Sequence, residues 1–208
     1  MRTGEVFALS WDDIDLKRRI IKINKTVYAK DKVESGRWYL GTTKTSGSSR
    51  KIYICDTLYY VLLNFKKLQT EYKKEYGKMY KQYTLKEVKN KYGRLVEYKI
   101  IESNCKSNKI EMVFIRNNGT YAGTDIIKYP FKIIHKELGI ACRFYDLRGS
   151  FATISLRNGC EIKDIAKILG HKRIETTRNY YITSTKEDTI KVSKVVEEKI
   201  NIKIVDKF

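Results

Sequence analysis

The fold is decided by residues 144–181, which read FYDLRGSFATISLRNGCEIKDIAKILGHKRIETTRNYY. Their pattern predicts a helix that carries Arg148 and is interrupted at Gly159, because glycine breaks the apolar periodicity there. A second apolar run, Ile162–Leu169, predicts a short amphipathic helix that ends at Gly170. The stretch therefore predicts two short helices joined by a glycine turn.

The same stretch contains the three residue types that can attack a phosphodiester without a metal. Arginine holds phosphate oxygens with a planar fork of donors, histidine adds another donor, and tyrosine supplies an oxygen nucleophile. Here these groups are Arg148, His171 and the adjacent pair Tyr180 and Tyr181. The pattern points to phosphoryl transfer if the rest of the chain adds further cations.

The composition favours a polyanionic partner. The chain has 208 residues, enough for one large domain with a substantial core, or one domain with a long excursion. It carries 43 Lys and Arg against 24 Asp and Glu, a formal net charge of +19. So large an excess disfavours compaction through self-repulsion, and a polyanionic partner is therefore expected.

A membrane role and a disulfide framework are both disfavoured. The longest strongly apolar run, Tyr59–Leu63, is far too short to span a bilayer, and no signal peptide opens the chain. The cysteines are widely spaced and form no C-x-x-C pair, so reduced thiols in a cytoplasmic protein are expected. They are Cys55, Cys105, Cys142 and Cys160.

The first quarter of the chain predicts a three-stranded antiparallel meander after a short amphipathic helix. The strands are expected at 20–27, 37–40 and 50–54. Isoleucine alternates with lysine in the first, and turn residues separate it from the second. Between the second and third strands lies the polar loop 41–49, which carries Lys44 near its tip. The sheet is thus expected to present one lysine on a loop.

The remainder is expected to be mainly helical. Asp56 or Thr57 caps a long helix, and a second is predicted at 126–138. The Lys/Tyr/Glu-rich segment 71–99 is interpreted as a solvated helical excursion. The alternative is a DNA-contacting face, since aromatic residues among lysines also suit backbone contact and stacking. A last amphipathic helix is predicted at 185–200.

Five short motifs occur in a set order along the chain. They are Met1–Glu5 (MRTGE), Thr43–Thr45 (TKT), Tyr145–Ser150 (YDLRGS), Leu169–His171 (LGH) and the double tyrosine. In this order they resemble the catalytic domain of the tyrosine recombinases, the phage integrase family. The likeness is strongest to integrases of Gram-positive conjugative transposons and phages. It runs from residue 2 to residue 181 and implies a mainly helical α+β domain with a small three-stranded antiparallel sheet.

Two motifs depart from the family pattern. The first lacks its leading glycine, and in the third Tyr145 replaces a histidine while Gly149 and Ser150 replace His-Thr. A phenol can donate a hydrogen bond to phosphate, but it cannot accept a proton near neutral pH as imidazole does. The abrupt beginning implies an N-terminally truncated catalytic domain, residues 1–208, without upstream DNA-binding domains, and with a C-terminal tail at 185–208.

The resemblance implies a site-specific DNA recombinase that acts on double-stranded DNA, integrates or excises a mobile element, and needs neither cofactor nor metal. Tyrosine would attack a phosphodiester, leaving a 3′-phosphotyrosyl enzyme and a free 5′-hydroxyl. The two motif arginines would hold the non-bridging oxygens, Lys44 would protonate the leaving oxygen, and Glu5 would be a structural partner of a basic group. The implied catalytic set is Arg2, Lys44, Tyr145, Arg148, His171 and Tyr181.

The resemblance leaves two registers for the nucleophile. Tyr180 lies nine residues after His171 and Tyr181 lies ten, and both spacings occur in the family. The residues at 181–187 fit the longer register better, so Tyr181 is the predicted nucleophile and Tyr180 the alternative. Neighbouring helical residues point about 100° apart, so only one of the two can face the phosphate.

Two other functions account for part of the pattern. A type IB topoisomerase would use the same chemistry to relax supercoils, and a non-enzymatic helix-turn-helix module could be formed by residues 160–179. The resemblance further implies that the full-length protein self-associates on DNA in a tetrameric synapse. The tail is expected to dock on a neighbouring subunit or on its own domain, with three valines buried. They are Val192, Val195 and Val196.

Overall fold

A computed structural model of the chain describes residues 1–30, 38–42, 49–105 and 107–171, together with 173, 175 and 177. The helices among these residues are α1 (Thr3–Phe7), α2 (Asp56–Tyr76), α3 (Lys128–Glu137), α4 (Asp146–Arg157) and α5 (Ile162–Leu169). The strands are β1 (Ile14–Asp15), β2 (Ile20–Ile23), β3 (Lys25–Ala29), β4 (Trp38–Thr42), β5 (Arg50–Tyr53), β6 (Tyr83–Lys89), β7 (Leu95–Glu102) and β8 (Lys109–Ile110). The predicted α+β class is confirmed.

The strands form two antiparallel sheets. One is three-stranded, in the order β1-β2-β5, and the other is five-stranded, in the order β3-β4-β7-β6-β8. β2 pairs with β5 up to Ile23 opposite Arg50, whereas β3 begins with Lys25 opposite Thr42. The chain therefore changes partners at Asn24. The predicted strands exist, but the single meander is wrong, because the segment 20–27 is divided between the two sheets.

The helical interpretation of residues 71–99 is also wrong beyond the end of α2. Gly77, with a φ of 49°, ends that helix, and β6 and β7 follow as an antiparallel hairpin. Its turn is closed by the Asn90 side chain, which accepts hydrogen bonds from the Tyr92 and Arg94 amides at 2.9 and 3.0 Å. Gly93, with a φ of 74°, supplies the left-handed position that this turn requires.

The buried hydrophobic residues form two main clusters and a smaller one. The first lies between α1 and the five-stranded sheet and is built around Phe7, Val27, Leu40 and Ile100. The second lies under the three-stranded sheet and α2, and its buried members are Leu9, Trp11, Ile14, Ile21, Ile23, Ile54, Leu62 and Val113. The third joins α4 to α5 through Ala152, Ile165 and Leu169. This third cluster positions the candidate site.

The helix predicted at 126–138 is present, with a short 3₁₀ turn at Thr124–Ile127 leading into α3. Gly139, with a φ of 65°, follows the end of that helix. The tail at 185–208 lies outside the described residues. Of the helices in the described part of the chain, none is long and apolar enough to cross a membrane.

Candidate active site

Arg148 points into the molecule from the first turns of α4. Ala152, one turn further along the same face, is fully buried against α5, and this packing carries Arg148 inward with it. Arg148 is 3% exposed, and its Nη2 donates a hydrogen bond to the carbonyl oxygen of Leu169. A buried arginine is thus held at the end of the neighbouring helix.

The C-terminal turn of α5 collects three arginines from different parts of the chain. Its successive carbonyl oxygens at Ile168, Leu169 and Gly170 accept hydrogen bonds from different guanidinium groups. Arg50 donates through Nε at 2.6 Å, and Arg2 donates through Nη2 at 3.4 Å. The last carbonyls of a helix have no partner within it and carry the negative end of its dipole, so cations are favoured here.

Glu5 joins two of these arginines. Its carboxylate accepts from Nη1 of Arg2 at 2.8 Å and from the Arg2 amide at 2.7 Å. Arg50 binds the same carboxylate through Nη1 at 3.2 Å and Nη2 at 2.9 Å. Burial alone would raise the pKa of Glu5, but the hydrogen bonds from Arg50 and Arg2 lower it to about 2. Glu5 is therefore ionised, and it has the structural role that the sequence analysis expects.

The cluster has more positive charge than Glu5 can neutralise. Three guanidinium groups meet one carboxylate, and burial together with the charge of Arg2 lowers the pKa of Arg148. Within the described structure, Nε and Nη1 of Arg148 are buried and have no hydrogen-bond partner. Buried donors without partners are costly and uncommon, so this arrangement is suited to an anion that accepts from them.

His171 follows the turn and faces the same charges. The left-handed conformation of Gly170, with a φ of 67°, ends α5 and directs the chain to His171. Its Nδ1 is 2.8 Å from the hydroxyl oxygen of Thr177, which is fully buried. Burial and the nearby charges of Arg148, Arg2 and Arg50 lower the pKa of His171 to about 4. The imidazole is therefore neutral at pH 7 in the absence of an anion.

A basic groove leads away from this cluster between β5 and the α4–α5 pair. Arg50 and His171 lie at one end, and the walls include Phe151 of α4 and Lys163 and Lys167 of α5. The groove is open and has a volume of about 920 Å³. Basic side chains outnumber the one acidic side chain in the lining, that of Asp164, so the groove favours an extended, negatively charged ligand.

Comparison with known proteins places this arrangement in a family. The sequence pattern described as "Phage integrase family" matches residues 1–188. The chain belongs to the phage integrase family. The integrase of Staphylococcus phage L54a is 28% identical over 200 residues, which cover 96% of this chain and 48% of that protein. A tyrosine recombinase XerC-like protein of Caldanaerobacter subterraneus is 25% identical over 187 residues, covering 87% of this chain and 42% of that protein.

Solved structures of this family share the fold. The Tn1549 transposon integrase, solved in complex with circular intermediate DNA, superposes with a TM-score of 0.63 at 19% identity, covering 94% of this chain and 56% of that one. The XerA recombinase gives a TM-score of 0.55 at 18% identity, covering 97% and 54%. The chain spans about half the length of the curated relatives it matches.

The structure of this phage integrase family member brings four of the predicted site residues to one region. Arg2, Arg148 and His171 lie around the end of α5, and Tyr145 lies at the start of α4. The Tyr145 side chain is 43% exposed, and its phenol partly offsets the lowering of the Arg148 pKa. Tyr145 is thus near the cluster but accessible from outside.

Three predicted site residues lie outside the described part of the chain. They are Lys44, Tyr180 and Tyr181. The segment that contains Lys44 connects β4 of one sheet to β5 of the other, so Thr42 and Arg50 define its two ends. The roles of these residues remain predictions.

Sequence reasoning missed Arg50. It is one of 43 lysines and arginines and belongs to none of the five motifs, so no local pattern distinguishes it. In the structure its side chain is 6% exposed and contacts both Glu5 and the end of α5. The only available signal was the expectation that Glu5 needs a basic partner, which does not identify that partner.

Proposed function

We propose that this chain is the catalytic part of a site-specific DNA recombinase, an integrase, that cleaves and rejoins DNA strands through a covalent 3′-phosphotyrosyl intermediate. The observation that carries this proposal is the pair of buried, unpartnered nitrogens of Arg148, within a cluster of three arginines and one carboxylate. A phosphodiester supplies the anionic oxygens that such donors require. The DNA complex of the Tn1549 relative supports DNA as the substrate.

The chemistry is a transesterification at phosphorus. The phenolic oxygen of Tyr181, or of Tyr180 in the alternative register, forms a bond to phosphorus as the bond to the 5′-oxygen breaks. The phenol loses its proton to water, and Lys44 donates a proton to the departing 5′-oxygen. A 5′-hydroxyl of the partner strand then attacks phosphorus and gives its proton to Lys44, while the bond from phosphorus to the tyrosine oxygen breaks and the phenol regains a proton from water.

Arg2 and Arg148 act on the charge that develops during this step. Each would donate to a non-bridging oxygen of the phosphate, where negative charge increases in the transition state. His171 and Tyr145 would add single donors to the same oxygens. Because hydrogen bonds hold Arg2, Arg148 and His171 before substrate arrives, these three groups need little reorganisation during the reaction.

The test is covalent capture without knowledge of the target site. The full chain is incubated with a random-sequence pool of end-labelled nicked duplexes, and protein–DNA adducts that survive denaturation are isolated and the linked residue is mapped. We expect an adduct through Tyr181, lost in Tyr181→Phe and retained in Tyr180→Phe. If Tyr180→Phe alone abolishes the adduct, the nucleophile is Tyr180. If the chain binds the duplexes and no adduct forms, the proposed chemistry is wrong.

Strand exchange distinguishes recombination from topoisomerase activity. Captured sequences are rebuilt as two duplexes with different labels, and products that join the labels are measured. Joined products support a recombinase, while relaxation of supercoiled plasmid without joining would contradict it. On two copies of the site we expect self-association into a tetrameric synapse, as the family resemblance implies, and we expect the protein to act in the cytoplasm.

A further inference from the structure

Arg50 connects three parts of the site that are distant in sequence. It is the first residue of β5, directly beyond the segment that contains Lys44. Its Nε donates to the carbonyl oxygen of Ile168 at 2.6 Å, across 118 residues. Its two terminal nitrogens bind Glu5, 45 residues away, at 2.9 and 3.2 Å. One side chain therefore ties β5 to α1 and to the end of α5.

These contacts use the specific shape of a guanidinium. The two terminal nitrogens form a planar fork that matches a carboxylate, while Nε points in another direction and reaches a carbonyl. A lysine ammonium could neutralise Glu5, but it could not make all three contacts at once. Packing is equally close at the turn, because a Cβ on Gly170 would lie 2.8 Å from Nη1 of Arg50. The backbone at Gly170 is shaped to accept this side chain.

The shared carboxylate determines how much of Arg2 remains for substrate. With Arg50 in place, each oxygen of Glu5 accepts two hydrogen bonds, one from Arg2 and one from Arg50. Without Arg50, Arg2 would be the main partner of Glu5, and its charge would be more fully neutralised. Arg50 also holds the turn whose Gly170 carbonyl accepts from Arg2 and whose next residue is His171.

We propose that Arg50 is a positioning residue of this active site. It holds Glu5 and the last turn of α5 in one arrangement, so that Arg2 and His171 both face the phosphate position beside Arg148. The contacts that carry this role are those of Arg50 with Glu5 and with the Ile168 carbonyl oxygen. The inference rests on the proposed function for its kinetic consequence, but its structural consequence can be measured without DNA.

The first measurement follows the histidine rings. The chain contains only two histidines, so their ring signals in a nuclear magnetic resonance spectrum can be assigned to His135 and His171 by single substitutions. Arg50→Lys is compared with Arg19→Lys, a matched change in an ion pair with Asp56 at the surface. We expect Arg50→Lys to shift the His171 ring signals, whereas His135, which is exposed on α3, stays unchanged. Unchanged His171 signals in a folded Arg50→Lys protein would overturn the proposal.

The second measurement separates rate from affinity on a captured duplex. Displacing reacting groups by about 1 Å can cost about a hundredfold in rate. We expect Arg50→Lys to slow adduct formation about tenfold to a hundredfold. The affinity for the duplex should change less than about twofold, because contacts to the DNA phosphate backbone dominate binding. Arg19→Lys should change neither quantity. Loss of affinity at an unchanged rate of adduct formation would assign Arg50 to binding and contradict positioning.

A double substitution tests whether Arg50 acts through Glu5. Residues that act through one interaction have non-additive effects. We therefore expect Arg50→Lys to slow adduct formation less in a Glu5→Gln background than in the wild type. Additive effects would contradict the coupling. If no variant and no wild-type protein forms an adduct, the proposed function fails, while the His171 signals still decide whether Arg50 positions the turn.

Discussion

Two buried polar networks lie on opposite ends of α1, and they are organised differently. Beyond its C-terminal end, Asp13 accepts hydrogen bonds from the amide and hydroxyl of Ser10 at 2.9 and 2.7 Å. It also forms an ion pair of 2.7 Å with Lys25, whose ammonium donates to the Ser10 hydroxyl at 3.0 Å. One carboxylate is paired with one ammonium, and these contacts join the 3₁₀ turn Trp11–Asp13 to the start of β3.

The network at the other end of α1 is not balanced in this way. Arg2 and Arg50 share the single carboxylate of Glu5, whereas Arg148 is bound to the Leu169 carbonyl oxygen. Two buried nitrogens of Arg148 have no partner among the described residues. A balanced network contributes to stability, because each polar group recovers the hydrogen bonds it loses on burial. A network with more donors than acceptors can instead bind an anionic ligand through the donors that have no partner. The difference separates the residues that hold the fold from those that serve the proposed chemistry.

The largest difference between the effect on activity and the effect on stability is expected at Arg148. Arg148→Met should reduce adduct formation at least a hundredfold, since removing one preorganised donor to a developing oxyanion typically costs about 10²–10³ in rate. Its melting temperature should not fall, because the substitution removes a buried cation that is repelled by Arg2 and Arg50. The rate of adduct formation tests the predicted loss of activity, and thermal unfolding tests the predicted stability. A strongly destabilised protein would show that Arg148 holds the fold together, as Asp13 does.

Asp13 should give the opposite result. Asp13→Ala removes the carboxylate that pairs with Lys25 and accepts from the Ser10 amide, and the loss for this partly exposed pair should be about 2–3 kcal/mol. Denaturant unfolding measures this loss of free energy. Adduct formation per folded molecule should be unchanged at low temperature. If Asp13→Ala is as stable as the wild type but cleaves DNA more slowly, the two networks do not divide into a structural and a functional one.

A smaller loss of stability is expected at Gln69, which joins α2 to the core. Its side chain accepts from the indole nitrogen of Trp11 at 2.7 Å and donates to the carbonyl of Val113 at 2.6 Å. Gln69→Ala leaves both buried groups unpaired and should cost about 2 kcal/mol. The matched control is Thr70→Ala, the neighbouring exposed position on the same helix, which should change the free energy of unfolding little.

A further expected effect is a pH dependence of stability that originates in the unbalanced network. The pKa of His171 is lowered to about 4 in the folded chain, against 6.5 for an ordinary histidine. The unfolded chain therefore takes up this proton first, and stability should fall as the pH decreases from 6.5 to 4. Glu5, with a pKa lowered to about 2 from 4.5, loses its contribution only as the pH falls from 4.5 towards 2.

The measurement is the melting temperature of wild type and His171→Gln between pH 7 and pH 4. We expect the variant to lack the part of the decline that occurs in the His171 window. His135→Gln, at an exposed position, serves as control and should follow the wild type. If the wild type and His171→Gln show the same decline, the arginine cluster does not suppress protonation of His171.

Local signals explain which elements were predictable. α5 has the predicted bounds Ile162–Leu169, because its apolar face repeats at helical spacing and Gly170 ends it. The hairpin of β6 and β7 was missed because its many lysines and glutamates also suit a helix. The period-two alternation of Tyr83 and Leu85, which pack on the core, was the available signal, together with the Asn90–Gly93 turn.

By itself, the sequence determined the α+β class, the family and the helices that carry Arg148 and precede His171. These follow from composition, motif order and periodicity over a few turns. The tertiary structure alone decided that Arg2, Arg50 and Arg148 would meet at the last turn of α5, across 168, 118 and 21 residues. The physical reason is that an arginine's role depends on which acceptors surround it after folding. No local pattern along the chain specifies those acceptors.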